Sequence, residues 1–157
     1  MSPRRSALVT LLLAACRRDA ALQEASSPLA PTYPIAITCG GHRLDGELAA
    51  EPASLRRGLM HRRSLPDDGA MLFVLPEAQI LAFSMRHTHL PLTLAALDDE
   101  GTIAELADLQ PGDETGWRSS RAYRLALEVN QGWLREHHLG LGSRCQLPLP
   151  EPFARRR

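Results

Sequence analysis

The chain has 157 residues, and its 18 Lys and Arg balance 18 Asp and Glu, so it offers no strong field to a nucleic-acid backbone or a charged partner. Every one of those bases is arginine, which excludes a lysine Schiff base and the lysine of a phosphate-binding loop. Two Trp, two Tyr and three Phe leave little material for base stacking, and nucleic-acid binding is not expected.

Arg4 and Arg5 precede an apolar run from Ala7 that ends in Leu13-Ala14-Ala15-Cys16. A basic start, a short apolar segment and small residues make an export signal. The run falls short of the roughly 20 apolar residues that cross a bilayer. An ordinary signal peptidase needs a small residue three places before its cut, and Leu13 in that place suits the box before a lipid-modified cysteine instead. Residues 1–15 are therefore predicted to be removed and Cys16 to carry a diacylglyceryl group. At about 0.8 kcal/mol per buried methylene, two or three acyl chains hold the chain to a membrane. The expected location is the bacterial cell envelope, on its periplasmic face. A plain secretory signal cut near Ala21 is the alternative. Residues 16–34 contain Ala, Ser and Pro without periodicity and read as a tether, reaching about 25 Å.

Residues 35–147 have the length of one domain. Ile35 to Cys39 and Leu44 to Ala49 read as strands joined through Gly40-Gly41. Pro52 suits the first turn of a helix carrying Leu55 and Leu59 on one face, with Gly58 near its end. Met71 to Leu75 is a continuous apolar run expected to stop at Pro76, and Ile80 to His89 is expected to be a separate extended segment. Leu92 to Leu97 forms another buried strand, and Asp98-Asp99-Glu100-Gly101 turns it into Thr102 to Leu106. Gln110 to Arg121 reads as the longest loop. From Ala122 the alternation places Tyr123, Leu125, Leu127 and Val129 on one face and Arg124, Glu128 and Asn130 on the other. A short helix over Trp133 to His138 and a last strand, Arg144 to Leu147, complete the domain; residues 148–157 read as a disordered tail. The expected fold class is α+β: a mostly antiparallel, strongly curled or barrel-like sheet of short strands with two short helices.

Arg57-Gly58-Leu59-Met60, Leu65-Pro66, Met71-Leu72-Phe73-Val74, Phe83-Ser84-Met85, Pro91-Leu92 and Leu127-Glu128-Val129-Asn130 with Gly132-Trp133 resemble the bacterial and archaeal family known as domain of unknown function 192. The resemblance implies a small, barrel-like mixed domain, often exported, with no settled activity. The family's Met-Lys-Asn-Thr-x-x-Pro-Leu-Asp segment stands here as Met85-Arg86-His87-Thr88-His89-Leu90-Pro91-Leu92-Thr93, so its asparagine is His87 and its aspartate Thr93.

Three constellations carry chemistry. Arg86 and Thr88, with Glu128 and Asn130, and Arg124 on the same face, could bind a carboxylate, a sugar or a glycan through forked arginine bonds and a polar rim. The same residues could instead form a structural network, with Asn130 capping the helix after it. Met85, His87 and His89, at alternate positions, share a face if their segment is a regular strand; thioether and imidazole suit copper, and two imidazoles with a third ligand such as His61 suit zinc. Cys39 and Cys145 are the thiols left after lipidation and form a bridge in an oxidising compartment if their Cα atoms come close enough, or else stay as two buried thiols. The other acids fall mostly in turns, where they are usually solvated.

The reading that results is an envelope-anchored, non-catalytic domain that binds a small ligand or an envelope protein at Arg86, Thr88, Glu128 and Asn130. Its alternatives are a periplasmic copper or zinc protein built on Met85, His87 and His89, and a hydrolase with Glu128 as base.

Overall fold

The computed structural model describes residues 32–151 with Phe153 and Ala154. The expected signal segment, the lipid anchor at Cys16, nearly all of the tether and the three terminal arginines lie outside the described residues.

Strand alternation and a two-glycine turn build the first hairpin. Strands β1 (Tyr33–Cys39) and β2 (His42–Ala49) pair antiparallel from Tyr33 opposite Leu48 to Cys39 opposite His42. Gly40 and Gly41 between them have φ of 55° and 90°, the left-handed values that such a tight turn requires at both positions. Helix α1 (Pro52–Arg57) follows: Pro52 occupies the first turn, where a missing N–H costs nothing, and the Glu51 N–H donates to Ser54 Oγ at 3.2 Å. This crossover brings the chain back so that β3 (Gly69–Phe83) runs parallel to β2, Asp45 opposite Gly69. The other strand pairs are antiparallel. The sheet is thus mixed, and mostly antiparallel.

Strand β3 departs most from expectation, because Pro76 does not end it. Its partner is β6 (Trp117–Asn130), and their register jumps from Val74 opposite Leu125 to Gln79 opposite Tyr123. Residues 75–78 therefore face a single residue, Arg124, across a bulge, and a bulge is where a strand tolerates a residue with no N–H to donate. Past the bulge β3 continues to Phe83, while residues 84–91 form no strand. The loop expected over 110–121 shrinks likewise, since Trp117 to Arg121 already belong to β6. The wholly buried β4 (Leu92–Leu97) and β5 (Ile103–Leu109) make the second hairpin, its turn held by Asp98 Oδ1 accepting from the N–H groups of Glu100 and Thr102. Helix α2 (Trp133–Glu136) and the two-residue β7 (Cys145–Gln146) follow β6.

The strand order is β5-β4-β6-β3-β2-β1-β7, and the sheet curls so that its two ends meet. Thr102 bridges Arg144, and the Cys145 N–H donates to the Gly101 carbonyl at 2.8 Å. The two sheet faces carry separate cores. Ile35, Ile37, Leu44, Leu48, Leu72, Leu97, Leu125, Leu127, Val129 and Trp133 belong to one. Leu59, Met71, Phe73, Leu81, Met85, Leu92, Leu94 and Tyr123 belong to the other, against which Leu55 of α1 packs. Tyr123 thus falls on the opposite side from Leu125, Leu127 and Val129, because the bulge re-aims the strand at Arg124. Residues 31–157 form a compact unit by themselves.

Cys39 and Cys145 sit opposite each other on β1 and β7, both buried, and are joined as a disulfide with Cα atoms 4.0 Å apart. The bond closes a loop of 106 residues and pins the smallest strand to the edge of the sheet. Cross-linking so long a loop lowers the entropy of the unfolded chain. Replacing both residues, Cys39→Ser with Cys145→Ser, is expected to lower the unfolding free energy by about 2–5 kcal/mol in urea titrations. Identical midpoints for the double variant and the oxidised parent would contradict that role.

Candidate functional site

The second core is incompletely covered. Between α1 with the residues after it and the part of β3 beyond its bulge lies an open pocket of about 750 Å³. Its walls are Leu55, Leu59, Phe73, Leu75, Leu81 and Phe83, and Phe73 meets Phe83 edge to face with ring centres 5.0 Å apart. Arg56, Arg57, Ser84, Arg86, Thr88 and Glu128 supply its charged and hydroxyl groups.

Glu128 is the unusual member. It stands on β6 between Met71 of β3 and Leu94 of β4, both buried, and is itself only 5% exposed. Among the described residues none donates a hydrogen bond to its carboxyl group, and no cation pairs with it. Nor is any polar side-chain atom of the described residues both sealed from solvent and unpartnered, so the carboxyl group opens onto the pocket it lines. Removal from water without a compensating partner disfavours the charged form, and burial pushes its pKa up to about 8. At neutral pH Glu128 is therefore mostly a neutral acid, able to donate one hydrogen bond into the pocket.

The remaining polar groups differ in their freedom. Thr88 is buried, its backbone held by an N–H bond to the Met85 carbonyl (3.0 Å) and by accepting from Gly112 (3.2 Å). Arg86 is exposed and lies 3.7 Å from the equally exposed Glu114, a contact worth little in water. Among the described residues Arg56 and Arg57, in the last turn of α1, have no acidic partner. The lip that follows α1 is tied down from outside: Arg62 donates through both terminal nitrogens to Glu47 of β2, and this pairing holds the Glu47 carboxyl below its ordinary range.

Of the residues singled out in the sequence, the structure brings Arg86, Thr88 and Glu128 to one pocket. Asn130 does not line it; its Nδ2 donates to the Pro66 carbonyl at 2.7 Å and fastens the segment that enters β3. The helix after Asn130 is met instead by Thr93, whose Oγ1 accepts from the Gly132 N–H at 3.3 Å. Arg124 parts from Glu128 at the bulge, where its Nε donates to the Leu75 carbonyl (2.9 Å) and its Nη2 to that of Phe153 (2.7 Å). Because residues 84–91 form no strand, Met85, His87 and His89 do not share a face: Met85 is buried in the second core, and both histidines are exposed. His87 stacks on His61 at 5.2 Å, and the His61 N–H donates to the His87 carbonyl at 2.8 Å. Both residues have left-handed backbone, φ 64° and 58°, so this contact ties the two segments that flank the pocket. Among the described residues no three His, Cys, Asp or Glu side chains are gathered as metal ligands. The sequence reading missed Arg56 and Arg57; their place in the last turn of a helix whose apolar face bears Leu55 and Leu59 was the available signal.

Fold and site together define a small curled-sheet domain with a partly apolar pocket beside its second core. The chain belongs to the family DUF192, described as an uncharacterised conserved region, whose model matches residues 35–147. Two crystal structures are similar to it. One, of a Sinorhizobium meliloti protein provisionally described as a transcription regulator, is 26% identical with a TM-score of 0.69 and matches 78% of this chain and 98% of that one. The other, of a Novosphingobium aromaticivorans protein of unknown function, is 26% identical with a TM-score of 0.67, covering 78% and 94%. Among curated proteins none matches the chain.

The state of Glu128 has a consequence for stability. An unfolded glutamate loses its proton near the ordinary value of 4.5, whereas the folded one keeps it to about 8. Between those limits the folded state holds more protons than the unfolded state, so stability falls as pH rises, by at most roughly 1.4 kcal/mol per pH unit, and levels off above the folded value. Glu128→Gln, which stays neutral, is expected to gain on the parent steadily between about pH 5 and pH 8. Parallel urea curves for the two proteins across that range would refute it.

Proposed function

We propose that this domain is a non-catalytic binding module that takes a small ligand in the pocket lined by Arg86, Thr88 and Glu128. The observation that carries the reading is Glu128 itself: a buried acid without a partner among the described residues, at the wall of a pocket that no described segment fills. Leaving a carboxyl group unpaired costs stability, and such a cost is characteristic of a site that waits for a partner from outside. The pocket's volume lies within the range of about 300–1,000 Å³ usual for ligand sites, and its mix of apolar walls with few polar groups is typical of them.

Hydrolysis is less well supported, though a raised carboxyl is what a general acid needs. Among the described lining residues Glu128 is the only acid, and no histidine joins it as a second acid–base group. Transcriptional control, named for the Sinorhizobium protein, finds no footing in a chain of zero net formal charge. The sequence before the domain supports an address in the bacterial envelope, with Cys16 lipidated and the tether lifting the domain from the membrane, and the Cys39–Cys145 bond suits an oxidising compartment.

The test is native mass spectrometry of residues 31–157 exported to a bacterial periplasm and purified without a histidine tag. A stoichiometric organic adduct is expected on the parent protein and not on Leu55→Trp, which adds bulk to the pocket from a half-buried wall position. An adduct that persists in the filled variant would show that the ligand sits elsewhere, and stoichiometric copper or zinc without any organic adduct would favour the metal alternative.

A further inference from the structure

The polarity of the pocket changes from mouth to floor. At the mouth, Arg56 and Arg86 are exposed and Arg57 is half-buried, and the exposed Glu114 is a loose partner of Arg86. The walls are aliphatic and aromatic. At the floor, buried Thr88 and Glu128 are the polar groups, and Glu128 has no hydrogen-bond partner among the described residues. Three cations at exposed or half-buried lining positions, two buried hydrogen-bonding groups and hydrocarbon walls describe the outline of an occupant.

Resting on the binding role argued above, we propose that the pocket takes an elongated anionic amphiphile. Its carboxylate or phosphate head lies among Arg56, Arg57 and Arg86, its apolar body lies along Leu59, Phe73, Leu81 and Phe83, and an oxygen at its far end meets Glu128 and Thr88. Each part answers a feature that the protein leaves open. Guanidinium groups bind such heads in forked pairs, and two of the three have no acid of their own among the described residues. The aromatic pair and the leucines reward an apolar body with area removed from water. The neutral Glu128 acid donates to a hydroxyl, ether or carbonyl oxygen, which supplies the partner that it lacks among the described residues. A cationic amphiphile has the wrong head for this mouth, and a fully apolar tail leaves Glu128 unsatisfied.

The experiment is calorimetric titration of residues 31–157 at about pH 6, where Glu128 keeps its proton. The probes are decanoate, ω-hydroxydecanoate and decyltrimethylammonium, all below their micelle concentrations. Both carboxylates are expected to bind at least about tenfold more tightly than the cation, and the paired variant Arg56→Glu with Arg86→Glu, at two exposed sites, is expected to abolish that preference. Glu128→Met is expected to weaken ω-hydroxydecanoate about tenfold relative to decanoate, whereas Glu128→Gln, which still carries a donor, keeps the hydroxy compound bound. Equal affinities for the cation and the carboxylates would overturn the assignment of the mouth. A hydroxy preference that survives Glu128→Met would overturn that of the floor. If neither carboxylate binds while the periplasmic protein still carries an adduct that Leu55→Trp removes, the ligand class is wrong and the pocket reading stands. If that adduct is missing as well, both fail.

Discussion

The pairing of β3 with β6 runs through the middle of the sheet and holds both of its faces. On one side of the bulge at residues 75–78 the two strands are central members of the curled sheet, placing Leu72, Leu125, Leu127 and Val129 in the first core. On the other side they continue as Gln79 to Phe83 against Trp117 to Tyr123, and this extension bears one wall of the pocket, with α1 supplying another. Arg124 secures the bend by bonding the Leu75 carbonyl inside the bulge and the Phe153 carbonyl near the chain's end. Without the bend, Leu81 and Phe83 would have no reason to stand opposite Leu55 and Leu59.

The second constraint is that β6 is flanked on both sides by apolar strands. A glutamate at position 128 has Met71 and Leu94 for lateral neighbours, and neither can donate a hydrogen bond. Elsewhere the domain satisfies its polar groups with care: Glu47 receives Arg62, Asp68 receives the Trp133 indole at 3.0 Å, Thr93 donates to Asp108 at 2.7 Å and Asn130 serves the Pro66 carbonyl. Set among such partners, Glu128 stands out as a buried acid with no hydrogen-bond partner among the described residues.

Much of the architecture was legible in the sequence, and the misses have identifiable causes. Gly40-Gly41, Pro52 and the Asp98 to Gly101 turn each state a local backbone requirement, and the elements beside them fall where those requirements put them. Pro76 misled because its effect depends on whether a partner strand needs its N–H, and that is decided by β6, some fifty residues away in the chain. The parallel step from β2 to β3 was hidden for a similar reason, since a helix as short as α1 resembles a loose connection. At the site, alternation along β6 grouped Glu128 with Asn130 and Arg124, but alternation says nothing of bulges or of what a side chain meets. Arg86 and Thr88 entered through the family resemblance and do line the pocket. The even spacing of Met85, His87 and His89 implied a common face only for a regular strand, and β3 ends at Phe83.

The Glu128 carboxyl group remains mostly neutral at neutral pH because no group among the described residues compensates its charge. Carbon NMR of the glutamate side-chain carboxyls in residues 31–157, with the Glu128 signal assigned by its loss in Glu128→Gln, measures this directly. A titration midpoint near 8 is the predicted result. A midpoint close to the ordinary 4.5 would mean that Glu128 is solvated or paired after all, and would contradict the central claim.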